Sequence, residues 1–358
     1  MTGTRFMQGL GDQKAIFLSL AAVAAALVLG LVLVAVIGVS IPDAVSAFAE
    51  GAWGSPYALA ASINRSLVFA LVGLGFILAN RANLTNVGGE GQIAVGAIAA
   101  AAVCLYGGVA AMPLGFGFVL AMLAACVAGG VWGAIVGVLK VKAGTNEVIS
   151  SLMLSFIGVW MLYGSVQSEA MLRQPMTSSS TLPESLEIPD ATKLPLLTGD
   201  AGMPLHIGLP LAIVLAIVVA VVLHRTVFGL RLRAVGLNPL AARKAGIAIT
   251  SSVIGVFFAA GALGGLAGSM MLQGEQYTIK AGFSSGYGFD GLVVGLLARG
   301  SVAGVIAGAL LFGFIRSGGI NMEMMASVPS SLVLVMQGVI IVSLAGAARW
   351  MDREGERR

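Results

Sequence analysis

Long apolar runs recur along the chain, and they constrain its fold more than any other feature. A helix of roughly 20 apolar residues crosses a hydrocarbon core about 30 Å thick, because lipid cannot satisfy backbone N–H and C=O groups. Complete or partial runs of this kind cover residues 15–39, 58–79, 93–109, 114–139, 148–166, 206–223, 251–272, 292–297, 302–315 and 331–347. The sequence therefore predicts an all-α polytopic membrane protein with about ten transmembrane helices.

Composition and missing motifs exclude several classes of protein. With 58% hydrophobic and only 10% charged residues, the lipid bilayer is the expected solvent. The net charge of +4 comes from Lys and Arg beside apolar runs, which argues against a nucleic acid polymer as partner. Cys104 and Cys126 lie inside apolar runs, and the chain has neither a G-x-x-x-x-G-K-[ST] loop nor an H-E-x-x-H motif. We therefore expect no enzyme, metal site or cofactor.

The distribution of Lys and Arg predicts the orientation in the membrane. With the N-terminus inside, only 5 of the 20 basic residues fall in outer loops: Arg65, Arg173, Lys193, Lys280 and Arg316. Cytoplasmic tails would then be residues 1–14 and 348–358. A first transmembrane half, 15–166, and a second, 206–347, would flank an external loop at 167–205. We expect a multi-pass protein of the bacterial inner membrane with both termini in the cytoplasm.

Two glycine-rich segments, 80–92 and 282–291, interrupt apolar runs, and each carries a carboxylate, Glu90 or Asp290. The predicted topology brings them in from opposite sides of the membrane. This pattern is typical of two inverted-topology halves whose broken helices meet at a solute site. A carboxylate within a span costs about 2.5–3.5 kcal/mol, which favours a functional role. Each could instead cap its own following helix, and both roles can hold together.

Further polar residues lie on the helix that starts near residue 147. Thr145-Asn146-Glu147 has the pattern of an N-cap followed by a first-turn acid. Ser151 and Ser155 share one face of that helix, where they either line a path or bond back to helix carbonyls.

The basic stretch 224–250 is predicted to be a cytoplasmic connector. Within it, Asn238 as N-cap, Pro239 at the first helical position and Gly246 as stop signal predict a short helix. Such a helix suits docking into a groove of another protein. A solvated positive loop would explain the charges, although it explains the capped helix less well.

Six stretches together resemble a known family: NLTNVGGEGQIAVGA, GTNEVISSLMLSFIG, RAVGLNPLAARKAGI, SGYGFDGLVVGLLARG, GALLFGFIRSGG and MQGVIIVSLAG. They are similar to permease subunits of ABC importers in the branched-chain amino acid and ribose permease superfamily. Within it, they resemble the nucleoside and simple-sugar branch, which is linked to BMP-type binding proteins. Ser155 departs from the Asn common in relatives, and Gly88-Gly89 departs from their Gly-Ala pair, which leaves the solute open.

The resemblance implies partners and site residues. The partners would be an ABC ATPase that binds the ATP, a second homologous permease in a heterodimer, and an extracytoplasmic solute-binding protein. The expected solute path comprises Asn83, Asn86, Glu90, Gln92, Ser155, Tyr287, Phe289 and Asp290. The expected ATPase-coupling surface comprises Arg233, Gly236, Asn238, Pro239, Ala241, Ala242, Arg243, Lys244 and Gly246.

The leading hypothesis is a permease subunit that moves a small polar solute, a nucleoside or simple sugar, by alternating access. The alternative is a secondary transporter in which Glu90 or Asp290 binds a proton or another ion. Genes for an ATPase and a binding protein beside this one would favour the importer, whereas a lone gene would favour the secondary transporter.

Overall fold

Helices form almost all of the regular structure. The computed structural model describes residues 24, 28, 30–112, 116–177, 182–329, 331–336, 338–339 and 342–343. Its helices are α1 (Ile41–Trp53), α2 (Pro56–Asn80), α3 (Gly89–Tyr106), α4 (Gly117–Ala143), α5 (Glu147–Gln167), α6 (Gly208–Arg225), α7 (Val227–Leu237), α8 (Pro239–Lys244), α9 (Ile249–Met271), α10 (Tyr287–Leu297) and α11 (Val302–Ala326). Isolated β bridges pair Arg173 with Ser185, Glu184 with Lys280 and Leu196 with His206.

Seven helices in the described part of the chain are long and apolar enough to cross a membrane: α2, α3, α4, α5, α6, α9 with the π-helical turn that follows it, and α11. Each overlaps a predicted span, and α11 continues past the predicted end at residue 315 to Ala326. The run at 292–297, too short to cross alone, belongs to α10, which has 11 residues. The predicted tails at 1–14 and 348–358 lie outside the described residues, as do parts of the runs at 15–39 and 331–347.

The core of residues 60–313, one of two compact units, is built where glycines let helix backbones touch. A Cβ on Gly261 or Gly265 of α9 would overlap the backbone of α4, and one on Gly268 would overlap that of α3. Gly133 of α4 faces the carbonyl of Phe257 on α9 in the same way. The small-residue spacings in the sequence therefore mark tight helix packing, which binds α3, α4 and α9 closely together.

The segment between α5 and α6 is held by backbone hydrogen bonds to the turn after α9. Ser185 N–H donates to Ile279 O (2.8 Å), and Ile188 N–H donates to Tyr277 O (2.9 Å). Gln273, fully buried, donates to Thr192 O at 2.7 Å. This segment, expected as an external loop, is therefore held by these long-range hydrogen bonds together with a 3-10 turn at Asp190–Thr192 and isolated bridges.

The other unit comprises Met1–Leu59 and Phe314–Arg358. Its described core is a cluster of apolar side chains: Val34, Ala44, Ala47, Met322, Val328, Leu332 and Met336. Asn321 donates to Ala47 O at 2.7 Å and so ties α11 to α1. The sequence analysis did not predict α1, which has 13 residues and falls short of a full span.

Candidate functional site

The two glycine-rich segments lie against each other where α3 and α10 begin. A Cβ on Gly288 would overlap the backbone of Glu90, and one on Gly89 would come within 2.9 Å of Gly288 O. Only glycine at both positions permits this approach. The structure therefore joins the starts of two helices that are separated by almost 200 residues in sequence.

Glu90 links these two helix starts electrostatically. Its Oε1 accepts the N–H of Gly286 at 2.9 Å, and its Oε2 accepts the N–H of Gly288 at 2.7 Å. Glu90 belongs to the first turn of α3, but its carboxylate caps α10. Buried helix-start N–H groups need acceptors, and a negative charge there is stabilised by the helix dipole. Of the two roles weighed for Glu90, the structure thus shows a cap, and the helix that it caps is α10 rather than its own.

Two buried amides complete the start of α3. Asn86 Nδ2 donates to Gln92 Oε1, and Gln92 Nε2 donates to Asn86 Oδ1, both at 3.3 Å. Asn86 Oδ1 also accepts the N–H of Gly88 at 2.9 Å. Because each amide satisfies the other, this pair fixes the turn into α3 and keeps polar atoms bonded in a buried place.

Two serines on α5 hold the extended chain just before α3. Val87 N–H donates to Ser151 Oγ at 3.0 Å, and Ser155 Oγ donates to Val87 O at 3.0 Å. Ser151 also bonds back to Glu147 O at 2.6 Å. The two side chains give Val87 the partners that a neighbouring strand would otherwise supply. Asn146 caps α5 as expected, since its Oδ1 accepts the N–H of Val148 at 2.9 Å.

The residues of α10 that were expected to line the solute path have different environments. Tyr287 is buried, and its ring stacks on Phe69 with centroids 4.8 Å apart, so it packs α10 against α2. Phe289 and Asp290 are half-buried in the first turn. A carboxylate at this position is favoured by the helix dipole, as expected for Asp290.

A cavity of about 170 Å³ opens beside the Glu90 cap. Its lining combines this carboxylate with hydroxyl and apolar groups: Glu90, Val159, Leu162, Tyr163, Gly282, Phe283, Ser284 and Ser285. Of the residues expected to form the solute path, Glu90 alone lines this cavity. Asn83 lies apart, exposed, against a second cavity next to α7.

The connector folds as two helices rather than one. Thr226 caps α7, since its Oγ1 accepts the N–H of Gly229 at 3.3 Å. Asn238 Oδ1 then accepts the N–H of Ala241 at 3.0 Å, and Gly246 follows α8 with φ +80°. The predicted short helix and its cap are confirmed by α8, whereas α7 was not expected. Its formation extends the helical part of the connector back to the end of α6.

The expected coupling residues divide into two groups. One is exposed to solvent: Arg233, Asn238, Pro239, Ala241, Arg243, Lys244 and Gly246. The other packs inward, where Ala242 is buried and Gly236 lies against the turn that follows α2. A Cβ on Gly236 would come within 2.7 Å of Arg81 O. The connector therefore touches the chain that leads into the first broken segment.

Comparison with known proteins decides the family. Residues 58–345 match the model of the branched-chain amino acid transport system permease component. The chain belongs to this permease family. It is 34% identical to a glucose ABC transporter permease of Haloferax volcanii, over 90% of this chain and 85% of that one. It is 31% identical to a guanosine ABC transporter permease of Bacillus subtilis, over 92% of each chain. No solved structure gives a significant match.

Membership of this permease family establishes which kind of activity the protein has. The permease is a multi-pass translocation subunit of an ABC transporter and not an enzyme, and it works in general with ATPase and solute-binding partners. The ion-coupled alternative has no support among the relatives. At the candidate site, sequence reasoning missed Tyr163, Ser284 and Ser285 as lining residues of the permease. The Ser-Ser pair was visible inside segment 282–291, whereas Tyr163 sits in an apolar helix with no local signal.

Proposed function

We propose that this permease imports a nucleoside or a simple sugar, and that the solute passes the junction of α3 and α10. The observation that carries the proposal is the Glu90 carboxylate, which joins the starts of two broken helices. Helix starts that meet inside a membrane protein are the usual setting of a midplane solute site.

The solute class follows from the chemistry beside the cap. Tyr163 and Ser284 bring hydroxyl groups that can donate and accept, and Ser285 Oγ, which donates to Gly282 O, can accept, which suits a solute rich in hydroxyls. Two N–H groups already occupy the Glu90 carboxylate, which supports a neutral solute over a cation. The relatives named for glucose, guanosine and nucleosides support the same class.

The arrangement we propose has about ten crossings in two halves of inverted topology, with both termini in the cytoplasm of a bacterial cell. The permease would pair with a second homologous permease as a heterodimer and receive solute from an extracytoplasmic binding protein. It would carry no cofactor of its own, since ATP binds to the ATPase chains. Cysteines at positions 86 and 286 that label freely from one side would contradict this topology.

Transport would proceed by alternating access through the contact between connector and broken segment. When the ATPases close, they would move α8 and, through Gly236, the turn at Arg81. That movement would shift the start of α3 relative to α10 and exchange solvent access to the cavity. The N–H bonds to Glu90 would break and reform in each cycle.

Reconstitution with the ATPase, the second permease and the binding protein tests the function. We expect ATP-dependent uptake of labelled guanosine, uridine or glucose, and no uptake driven by an ion gradient alone. The double variant Arg243→Glu, Lys244→Glu should hydrolyse ATP without uptake, because its exposed helix α8 loses the charges that face the ATPase.

The matched control is Lys142→Glu, which reverses an exposed charge at the end of α4. It should transport normally. Gradient-driven uptake without ATP would instead support a secondary transporter, and coupled transport by the double variant would show that α8 is not the dock.

A further inference from the structure

The second cavity, beside the connector, has a volume of about 410 Å³ and differs in character from the first. It lies where α7 meets the turn after α2 and the turn after α10. Its lining combines three guanidinium groups with amides and small groups: Ile77, Asn80, Arg81, Asn83, Arg233, Gly236, Leu237, Arg299 and Gly300. No acidic side chain is among these described lining residues.

Three like charges that line one cavity give it a positive potential, which attracts an anionic group even though solvent reaches Arg233 and Arg299. Within the described part of the chain, neither Arg81 nor Arg233 forms an ion pair. The Nε of Arg81 is buried and has no hydrogen-bond partner among the described residues. A buried donor atom without an acceptor is unfavourable, and an anionic ligand in the cavity would give Arg81 that acceptor.

The chain positions these arginines through backbone contacts. Arg233 lies three residues before Gly236, so both share one face of α7, and Gly236 packs against Arg81 O. Arg299 follows the end of α10 and has φ +50°. The three side chains thus come from the connector, from the turn after α2 and from the turn after α10.

We propose that Arg81, Arg233 and Arg299 form a binding site for a phosphate group, either free or in a phospholipid headgroup. Guanidinium is planar and binds phosphate oxygens through paired N–H donors. The asparagine amides at positions 80 and 83 supply neutral donors beside the charges. The cavity is large enough for a phosphate with an organic substituent.

A phosphate bound here would join the connector to the chain on either side of the α3–α10 junction. If the connector is the ATPase dock, as the proposed function holds, occupancy would strengthen the mechanical link between dock and solute site. The binding site itself does not depend on that function. It can be tested on the purified permease without transport.

The test uses the full chain purified in a neutral detergent and stripped of anionic lipid. Thermal unfolding is followed during titration with inorganic phosphate, with short-chain phosphatidylglycerol, and with chloride at equal ionic strength. We expect saturable stabilisation by a phosphate-bearing ligand and none by chloride. Arg81→Gln and Arg299→Gln should each weaken the apparent affinity about tenfold or more.

Arg81→Lys keeps the charge without the paired donors and should give an intermediate loss, even if the glutamine variant folds poorly. The matched control is Arg231→Gln, an exposed arginine of α7 outside the cavity lining, which should bind as the unmodified chain does. Stabilisation by phosphatidylglycerol alone identifies a lipid headgroup, and stabilisation by both ligands identifies the free phosphate group. Equal affinity in Arg81→Gln and Arg231→Gln, or an equal effect of chloride, overturns the proposal.

Discussion

Removing the Glu90 carboxylate should loosen the junction of the two broken helices. Glu90 is 5% exposed and accepts two N–H groups at the start of α10. Glu90→Ala would remove the acceptor of both donors. Glu90→Gln would keep one carbonyl acceptor but lose the charge and the second acceptor.

The expected magnitude lies between two limits. A hydrogen bond to a charged group contributes about 1.5–3 kcal/mol in proteins, whereas bonds between membrane helices average about 0.6 kcal/mol. Two bonds therefore give about 1–6 kcal/mol. Because the unpaired donors would stay buried, we expect Glu90→Ala to lower the free energy of unfolding by about 3 kcal/mol, and Glu90→Gln by about half of that.

Thiol labelling offers a direct assay. Cys104 is 2% exposed, so a maleimide fluorophore labels it only when the helices separate. Unfolding can be followed in a Cys126→Ser background, which removes the half-buried second thiol. Glu169→Ala, at an exposed carboxylate, serves as control. A destabilisation by Glu90→Ala no larger than that of the control would show that the carboxylate does not hold the junction together.

Two further predictions concern packing and pH. Gly265→Ala should destabilise the permease by about 1–3 kcal/mol, because the new Cβ would overlap Ala125 O on α4. Gly164→Ala, with open space at its Cβ, should be neutral or stabilising by up to about 1 kcal/mol in the same denaturation assay. Burial lowers the pKa of His206, which precedes α6, to about 4. The unfolded chain, with a pKa near 6.5, then binds the extra proton, so acidification from pH 7 to 5 should reduce the free energy of unfolding by about 2 kcal/mol. His206→Asn should flatten that pH dependence in thermal melts, and an unchanged slope would contradict the assignment.

The membrane helices could be predicted because their signal is local. Each run of apolar residues must form its own backbone hydrogen bonds, so its position follows from the sequence alone. The cap at Asn238 was predictable for the same reason, since it depends on three adjacent residues. Helix α7 was not predicted because its arginines interrupt the apolar pattern by which the membrane helices are recognised.

The site was only partly predictable because its decisive contacts are long-range. The sequence indicates that Glu90 is important, but the donors it binds lie 196 and 198 residues further on. The same holds for Ser155, whose partner is the backbone of Val87 rather than a solute or its own helix. A carbonyl or N–H group carries no sequence signature, so such partners become visible only in three dimensions.

The glycine contacts of α9 with α3 and α4 also limit how this protein can move. Where main chain meets main chain, no side-chain rotamer lies between the helices to adjust, and sliding would force atoms into collision. These three helices are therefore expected to keep their positions relative to one another during transport. The displacements of a turnover must occur elsewhere, for example in the extended chain at Val87, which hydrogen bonds to Ser151 and Ser155 hold in place.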